Sequence, residues 1–182
     1  MTTLDSKSVI CANCENETEQ TIVGSTNQFG SSDLDLRPAE MMRGTMSYWL
    51  QECSDCGYVA GDISQIDDST SALMKSDEFL RIQNDLAPKG MERMFIKRGF
   101  LDHEMENLEE AANNYLHAAW AADDFGNSKV ASECRSKAAS FFLTVIDDEP
   151  KNLEKITVIS TQLIDIYRRS EDWNKAIAMA DD

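Results

Sequence analysis

Four of the five cysteines in this sequence fall into two pairs of the form Cys-x-x-Cys. Cys11 and Cys14 make the first pair, Cys53 and Cys56 make the second, and 38 residues lie between the pairs. A turn of this kind, here called a knuckle, lets both of its sulfurs face one point. Two knuckles brought together can therefore supply four thiolates in a tetrahedron. The spacing predicts one metal ion held by Cys11, Cys14, Cys53 and Cys56.

The donor set favours zinc, because a tetrahedral site of four sulfurs suits this ion. Such a site has no open ligand position, so we expect it to be structural rather than catalytic. Iron, held as in rubredoxin, is the alternative; the long separation and the Glu15-Asn16 sequence after Cys14 disfavour it. The second knuckle has Gly57 directly after Cys56. In the first knuckle we expect Asn16 to adopt the left-handed backbone conformation.

The residues around the knuckles have the composition of short strands. β-Branched and aromatic side chains predict strands at 21–23, 46–51 and 58–60, the last two forming a hairpin around the second knuckle. Val9 and Ile10 read only as a short lead-in to the first knuckle. The order of knuckle, strand, connection, strand and knuckle resembles the plan of a zinc ribbon, a fold to which the metal contributes folding free energy.

The connection between the knuckles contains a second candidate site. Asp33 and Asp35 alternate with Leu34 and Leu36, and Arg37 follows. In an extended segment both carboxylates would point one way and both leucines the other. One interpretation is a small acidic binding site with Arg37 beside it. The favoured interpretation is a hydrogen-bonded loop that its leucines clamp onto the ribbon, because no histidine lies nearby to form an acid/base pair.

From about residue 69 the apolar residues follow a helical period. The prediction is α+β and mostly α: a zinc-ribbon subdomain with the inserted loop at residues 1–66, followed by an antiparallel helical array at residues 67–182. One helix is predicted from an apolar stripe at Phe79, Ile82 and Leu86, and Pro88 ends it. A capping box from Asn107 to Glu110 and a first-turn proline at Pro150 predict the starts of two others. Ser170 is predicted to cap a last helix, with its inward residues at Trp173, Ala176, Ile177 and Ala180.

The stretch from Tyr167 to Ile177 resembles the turn inside a tetratricopeptide repeat. An aromatic closes the first helix there, while Trp173 and Ala176 open the second; Glu171 stands where the repeat usually has glycine. The anchor alanines Ala131 and Ala176 are 45 residues apart, more than the standard period of about 34. Such units would be long or degenerate repeats.

The whole pattern resembles a group of bacterial proteins of unknown function that join an N-terminal zinc ribbon to tetratricopeptide-like helices. The two knuckles, the loop at 33–38, Tyr48-Trp49, Gly57-Tyr58 and the helical tail carry this resemblance. It implies an architecture, since no activity accompanies the group.

Charge and segment composition disfavour several classes of partner. The chain has 17 Lys and Arg against 33 Asp and Glu, a formal net charge of -16 that is spread over both parts. No basic stripe is present for nucleic acid or for an anionic membrane surface. The polar N-terminus lacks the features of a signal peptide, and no apolar run has membrane-spanning length. These features predict a cytoplasmic protein.

The remaining reactive residues do not form a catalytic pattern. Cys134 lies on an apolar helix face and reads as a small buried hydrophobe. His103 and His117 have no cysteine or serine partner at a useful spacing. Asp123-Asp124 falls at a helix C-terminus, where the helix dipole disfavours negative charge, which indicates either a site for a basic partner or a solvated helix end. With no phosphate loop, zincin motif or nucleophile elbow, the sequence does not predict an enzyme.

Three functions are compatible with the sequence. The leading hypothesis is a zinc-stabilised adaptor whose helical surface docks a protein or peptide, with basic segments favoured by the acidic charge. The second is a redox-responsive or electron-transfer protein that uses the four cysteines. The third is a hydrolase or transferase that uses Asp33, Asp35 and Arg37.

Overall fold

A computed structural model describes residues 1–84 and 90–181 of the chain. The described residues are mostly helical, with two small antiparallel sheets, which confirms the expected balance of α and β structure. The strands are β1 (Thr3–Ile10), β2 (Glu17–Ser25), β3 (Gln51–Glu52) and β4 (Val59–Ala60), and a 3₁₀ helix covers Met42–Tyr48. The α-helices are α1 (Thr70–Leu73), α2 (Asp77–Asn84), α3 (Met91–Glu104), α4 (Leu108–Asp124), α5 (Ser128–Asp148), α6 (Leu153–Arg169) and α7 (Trp173–Asp181).

The first sheet is a hairpin of β1 and β2 that holds the first knuckle at its end. Its register runs from Ile10 opposite Glu17 to Leu4 opposite Val23. The predicted strand at 21–23 is confirmed within β2, but the lead-in at Val9 and Ile10 proves to be the end of an eight-residue strand. The polar composition of β1 hid it, because most of its side chains face solvent and need no apolar alternation.

The second sheet is a short hairpin of β3 and β4 around the second knuckle, with Gln51 opposite Ala60. The predicted return strand is confirmed at Val59–Ala60, whereas the strand predicted over 46–51 is wrong except at Gln51. Met42–Tyr48 is a 3₁₀ helix, in which Thr45 Oγ1 donates to the Met42 carbonyl (2.7 Å) and accepts from Trp49 Nε1 (3.0 Å). These local hydrogen bonds favour the tight turn over an extended ladder.

The helical region is a series of adjacent helices, and three of its connections use the same backbone turn. A residue with positive φ follows the helix, and the next N–H donates to the carbonyl five residues earlier. The residues with positive φ are Glu106 (62°), Gly126 (72°) and Glu171 (59°). The N–H donors are Asn107, Asn127 and Asp172, at 2.8, 2.8 and 2.9 Å from their acceptors. Such tight turns place consecutive helices side by side.

Several predicted helix ends are displaced by a few residues. Asn107 does occupy the N-cap of α4, but its side chain makes no cap hydrogen bond, so the capping box is wrong. Pro150 lies outside α6, whose N-cap is Asn152 with a side chain that accepts from Lys155 N–H (3.2 Å). Ser170 ends α6 instead of beginning α7. A residue with a side-chain oxygen therefore predicts that a helix begins nearby, but not at which residue it begins.

Helix α2 buries Phe79 and Ile82, as their spacing predicts. Leu86 and Pro88, which were expected to extend and end this helix, lie outside the described residues.

The last helix differs from its expected burial. Ala176 packs inward, but Trp173 is 56% exposed, Ile177 is 60% exposed and Ala180 is also exposed. Helix α7 packs on α6 by the Ala176 face. Across residues 1–84 and 90–181, no element covers its opposite, apolar face.

The knuckle region and the helices share one hydrophobic core. Val9, Cys11 and Val59 belong to the same buried cluster as Leu116 and Phe142. The expected domain boundary at residues 66 and 67 falls in the connection between β4 and α1 and stays a prediction.

In the described residues no helix is both long enough and apolar enough to cross a bilayer.

His117 lies where the N-terminal region meets the helices, surrounded by aromatic rings. The centroid of its ring is 5.1 Å from that of Trp49, 5.3 Å from Phe95 and 4.8 Å from Trp120. Burial lowers the pKa of His117 from 6.5 to about 4, because the imidazolium would lose its hydration there. The side chain is therefore neutral and structural at pH 7.

We predict that His117 makes the fold acid-sensitive. Because its pKa is lower in the folded chain than in the unfolded chain, its contribution is present above pH 6.5 and is lost as pH falls toward 4. Between pH 7 and pH 5 the loss should be about 2 kcal/mol of unfolding free energy. Urea titrations of wild type and His117→Leu at both pH values measure it. An equal pH dependence in the two proteins would contradict the prediction.

Candidate metal centre

The two knuckles have the same backbone hydrogen bonds. In the first, Cys11 N–H donates to the Asn16 carbonyl (2.9 Å) and Glu15 N–H donates to the Cys11 carbonyl (2.8 Å). In the second, Cys53 N–H donates to the Tyr58 carbonyl (2.8 Å) and Gly57 N–H donates to the Cys53 carbonyl (2.9 Å). Each turn is thus closed by main-chain bonds at the end of its hairpin, which fixes the direction of its two cysteine side chains.

The residue after the second cysteine of each knuckle has a left-handed backbone. Gly57 has φ 74°, as its type predicts, and the matching residue of the first knuckle is Glu15 with φ 62°. The expectation that Asn16 would take this conformation is wrong, because the closing N–H must come from the residue directly after Cys14. A Cβ at position 57 would also overlap the side chain of Gln83.

The four sulfurs of Cys11, Cys14, Cys53 and Cys56 converge, all lying within 4.8 Å of one another. The Sγ atoms of Cys11 and Cys56 are 3.7 Å apart, and those of Cys14 and Cys53 are 3.6 Å apart. Four sulfurs at about 2.3 Å from a central zinc ion would have edges of about 3.8 Å. A disulfide would need about 2.05 Å, and none of the five cysteines forms one. The residues therefore fit a tetrahedral metal ion.

Burial destabilises the thiolate form of this cluster unless a cation lies beside it. Cys11 and Cys53 are almost fully buried, while Cys14 and Cys56 are partly exposed. Burial raises the pKa of the Cys11 thiol to about 12, so its thiolate forms at neutral pH only beside a cation. Metal binding would supply that cation and release the protons.

A buried lysine of helix α3 lies beside the second knuckle. Lys97 is fully buried, and its Nζ donates to Glu52 Oε1 at 2.6 Å. Glu52 is the residue directly before Cys53. Burial lowers the pKa of Lys97, and the charges of Glu52 and Cys56 oppose that shift. The ammonium thus couples the helices to the cysteine cluster electrostatically.

The second candidate site, at Asp33, Asp35 and Arg37, lies against helices α4 and α6. Asp35 is fully buried, and its Oδ2 accepts from Trp120 Nε1 at 2.7 Å. Arg37 is also buried and donates to Asp124 Oδ2 at 2.5 Å. These contacts attach the loop to the C-terminal half of α4.

Asp33 and Asp35 also meet arginines. Asp33 Oδ2 is 3.0 Å from Arg43 Nη2 and 3.6 Å from Arg169 Nη2. Asp35 Oδ2 is 3.7 Å from Arg169 Nε, which is 2.6 Å from the buried Asp165. Arg169 of α6 therefore lies within 4 Å of both aspartates.

The expected leucine clamp is wrong. The loop is a tight turn in which Asp33 N–H donates to the Arg37 carbonyl (2.9 Å) and Leu36 has φ 66°. Leu34 and Leu36 are both exposed. The segment is not extended, so the alternation of side chains does not apply. Polar groups hold the loop in place.

Sequence reasoning missed two partners of this loop, Trp120 and Arg169. One signal was available, in the unusual aspartates at the end of α4. Asp124 pairs with Arg37, and Asp123 pairs with the buried Arg135 of α5. Arginines of the same chain therefore neutralise the charge at this helix end.

The other reactive residues lie apart from the cysteine cluster. Cys134 is buried, as predicted for a small hydrophobe, and burial raises its pKa to about 12. His103 stacks on Phe141 with ring centroids 4.7 Å apart and lies 3.2 Å from Glu104.

Comparison with protein-family models, with curated proteins and with solved structures finds no match to this chain. Four converging thiols can hold one metal ion, and the buried aspartate loop can fix the region between the knuckles against the helices.

We predict that the Asp35–Trp120 hydrogen bond contributes to folding stability. Trp120→Phe should cost about 1–3 kcal/mol, because it leaves a buried carboxylate with one donor fewer. In a double-mutant cycle with Asp35→Asn, urea unfolding should show coupling of about 1 kcal/mol or more. The matched control Asp33→Asn, at a more exposed carboxylate, should cost less than about 1 kcal/mol. Additive effects of Trp120→Phe and Asp35→Asn would contradict this account.

Proposed function

We propose that this chain is a zinc-ordered protein-interaction module. In this proposal Cys11, Cys14, Cys53 and Cys56 hold one structural zinc ion in a zinc ribbon, and the tetratricopeptide-like helices present the docking surface. The agreement between the sulfur separations of 3.6–3.7 Å and a tetrahedral zinc site supports the metal assignment. When bound, the ion supplies charge and a cross-link, with no ligand position left for a substrate.

The observation that carries the interaction proposal is the apolar face of α7. Trp173 and Ile177 are one helical turn apart and are 56% and 60% exposed. Residues at this spacing form one stripe along a helix, and Ala180 extends it. An aromatic anchor beside aliphatic residues is the usual energetic centre of a protein interface.

The partner we propose is an amphipathic peptide or protein segment with basic residues. Its apolar side would cover Trp173 and Ile177, and its basic residues would meet the acidic surface of a chain with a net charge of -16. Long-range attraction of this kind raises the association rate and decreases with salt.

We predict one equivalent of zinc in the purified protein by elemental analysis. The paired variants Cys11→Ser/Cys14→Ser and Cys53→Ser/Cys56→Ser should both lose it, because each removes half of the ligands. Their helical circular-dichroism signal should persist with a lower melting temperature, because the knuckles and helices share a core.

Cys134→Ser is the matched control and should retain the zinc, since Cys134 belongs to helix α5 and not to the cluster. A red, iron-containing protein, or full zinc retention in either paired variant, would refute the assignment.

We predict that peptides selected against the zinc-loaded protein from a displayed random library will be amphipathic and rich in Lys and Arg. Trp173→Ser/Ile177→Ser should bind the selected peptides at least about tenfold more weakly by fluorescence anisotropy, because it removes the apolar anchors. Val158→Ser, at an exposed apolar residue of α6, is the control and should bind normally. Failure to enrich peptides, or equal binding to all three proteins, would exclude α7 as the docking face.

A second candidate is a redox-responsive zinc site. The partial exposure of Cys14 and Cys56 favours it, because each lies within 3.7 Å of a buried cysteine of the other knuckle. Two thiolates can transfer two electrons to a peroxide, forming one S–S bond and two hydroxide ions and releasing the metal. Zinc release at low peroxide, measured with a colorimetric chelator, would distinguish this role from a purely structural one.

The loop at Asp33, Asp35 and Arg37 supports a structural role better than a hydrolase or transferase. Asp35 is fully buried, and Arg37 is buried against Asp124. A general base or a substrate clamp would need to be within reach of a substrate.

A further inference from the structure

The outer edge of β1 is an unpaired strand edge. Across the described residues β1 pairs with β2 alone, and its side chains are exposed except for Val9. An edge of this length presents a row of backbone donors and acceptors that can pair with another strand.

The hydrogen-bond pattern shows which groups face this edge. Cys11 N–H donates to Asn16, continuing the register of β1 with β2. Because bonded and non-bonded pairs alternate in an antiparallel ladder, Asp5, Lys7 and Val9 are the residues that bond to β2. The backbone groups of the even-numbered residues from Leu4 to Ile10 therefore face outward. At Ala12 the edge closes, since its N–H donates to the Ile63 carbonyl (2.8 Å).

The β1 edges of two copies of this chain could pair across a two-fold axis, and the charges on β1 favour one register for that pairing. When two copies pair antiparallel, each outward-facing residue must lie opposite an outward-facing residue of the partner. Since these residues are all even-numbered, the two-fold axis passes through a residue position and not between two residues. Centred on Asp5 or Lys7, the pairing sets like charges against each other. Centred on Ser6, it sets Asp5 opposite the partner's Lys7, and Lys7 opposite the partner's Asp5.

We propose that a second copy of this chain binds along β1, antiparallel and centred on Ser6, to form a four-stranded sheet across a two-fold axis. The opposed charges fall at non-hydrogen-bonded positions, where facing side chains are closest. In the same register Ser6 and the partner's Ser6 exchange two backbone hydrogen bonds.

Apolar side chains fit the same register. Leu4 and Ile10 are exposed in the single chain, and both lie on the face opposite Val9. In the paired sheet Leu4 stands across from the partner's Ser8 and diagonal to the partner's Ile10, within reach of long side chains. Pairing would therefore bring together the two exposed apolar side chains of β1.

Sedimentation velocity of the zinc-loaded protein, from micromolar to sub-millimolar concentration, tests this proposal. Wild type should show a monomer–dimer equilibrium. Lys7→Glu should weaken the dimer at least about tenfold, because two attractive cross-strand pairs become repulsive. The swap Asp5→Lys/Lys7→Glu should restore the dimer, since it exchanges the charges and keeps the net charge of -16.

Lys129→Glu is the matched control, because it makes the same change in net charge at an exposed residue of α5. Ser6→Pro tests the backbone contact, because the Ser6 N–H faces outward and its loss breaks no bond to β2. This variant should be monomeric and retain its zinc. A wild type that is monomeric at every concentration, or a dimer that Lys7→Glu weakens no more than Lys129→Glu does, overturns the proposal.

Discussion

The arrangement of the N-terminal region depends on four sulfurs within 4.8 Å of one another. As thiolates the four sulfurs repel one another, and the burial of Cys11 and Cys53 adds a desolvation cost to their charges. A divalent cation resolves this conflict, since attraction to each sulfur replaces repulsion among them. Four thiolates around Zn²⁺ still carry two negative charges, and the buried ammonium of Lys97, bound to Glu52, lies on the side of Cys56.

Polar contacts fix the loop at residues 33–37 to the helices. Asp35 meets Trp120 and Arg169, and Arg37 meets Asp124; Asp35 and Arg37 are themselves buried. Buried charges of this kind give geometric specificity at a high desolvation cost, so each needs its partner. The two parts of the chain are consequently joined by bonds that tolerate few substitutions.

The sequence predicts local features well and long-range polar partners poorly. The four cysteines, the strand at 58–60 and the stripe at Phe79 and Ile82 follow from spacing and side-chain type, because their causes lie within a few residues. Strand β1 escaped prediction because a solvated hairpin edge carries no apolar alternation.

The loop at Asp33 and Asp35 was recognised as unusual, but its contacts were not. The alternation of aspartate and leucine in the sequence does not predict which helix provides the tryptophan N–H that Asp35 accepts. The exposed Trp173 shows a related problem: a helical period identifies the apolar face of α7 but not whether another element covers it.

The attachment of the aspartate loop also sets the order in which the chain can be completed. Asp35 and Trp120 are 85 residues apart, and Arg37 and Asp124 are 87 apart. Helical hairpins form between neighbours at little entropic cost, whereas closing a loop of this length costs more chain entropy and slows folding. On the ribosome both knuckles therefore leave the exit tunnel well before α4, and the loop can dock only after residue 124 has been synthesised.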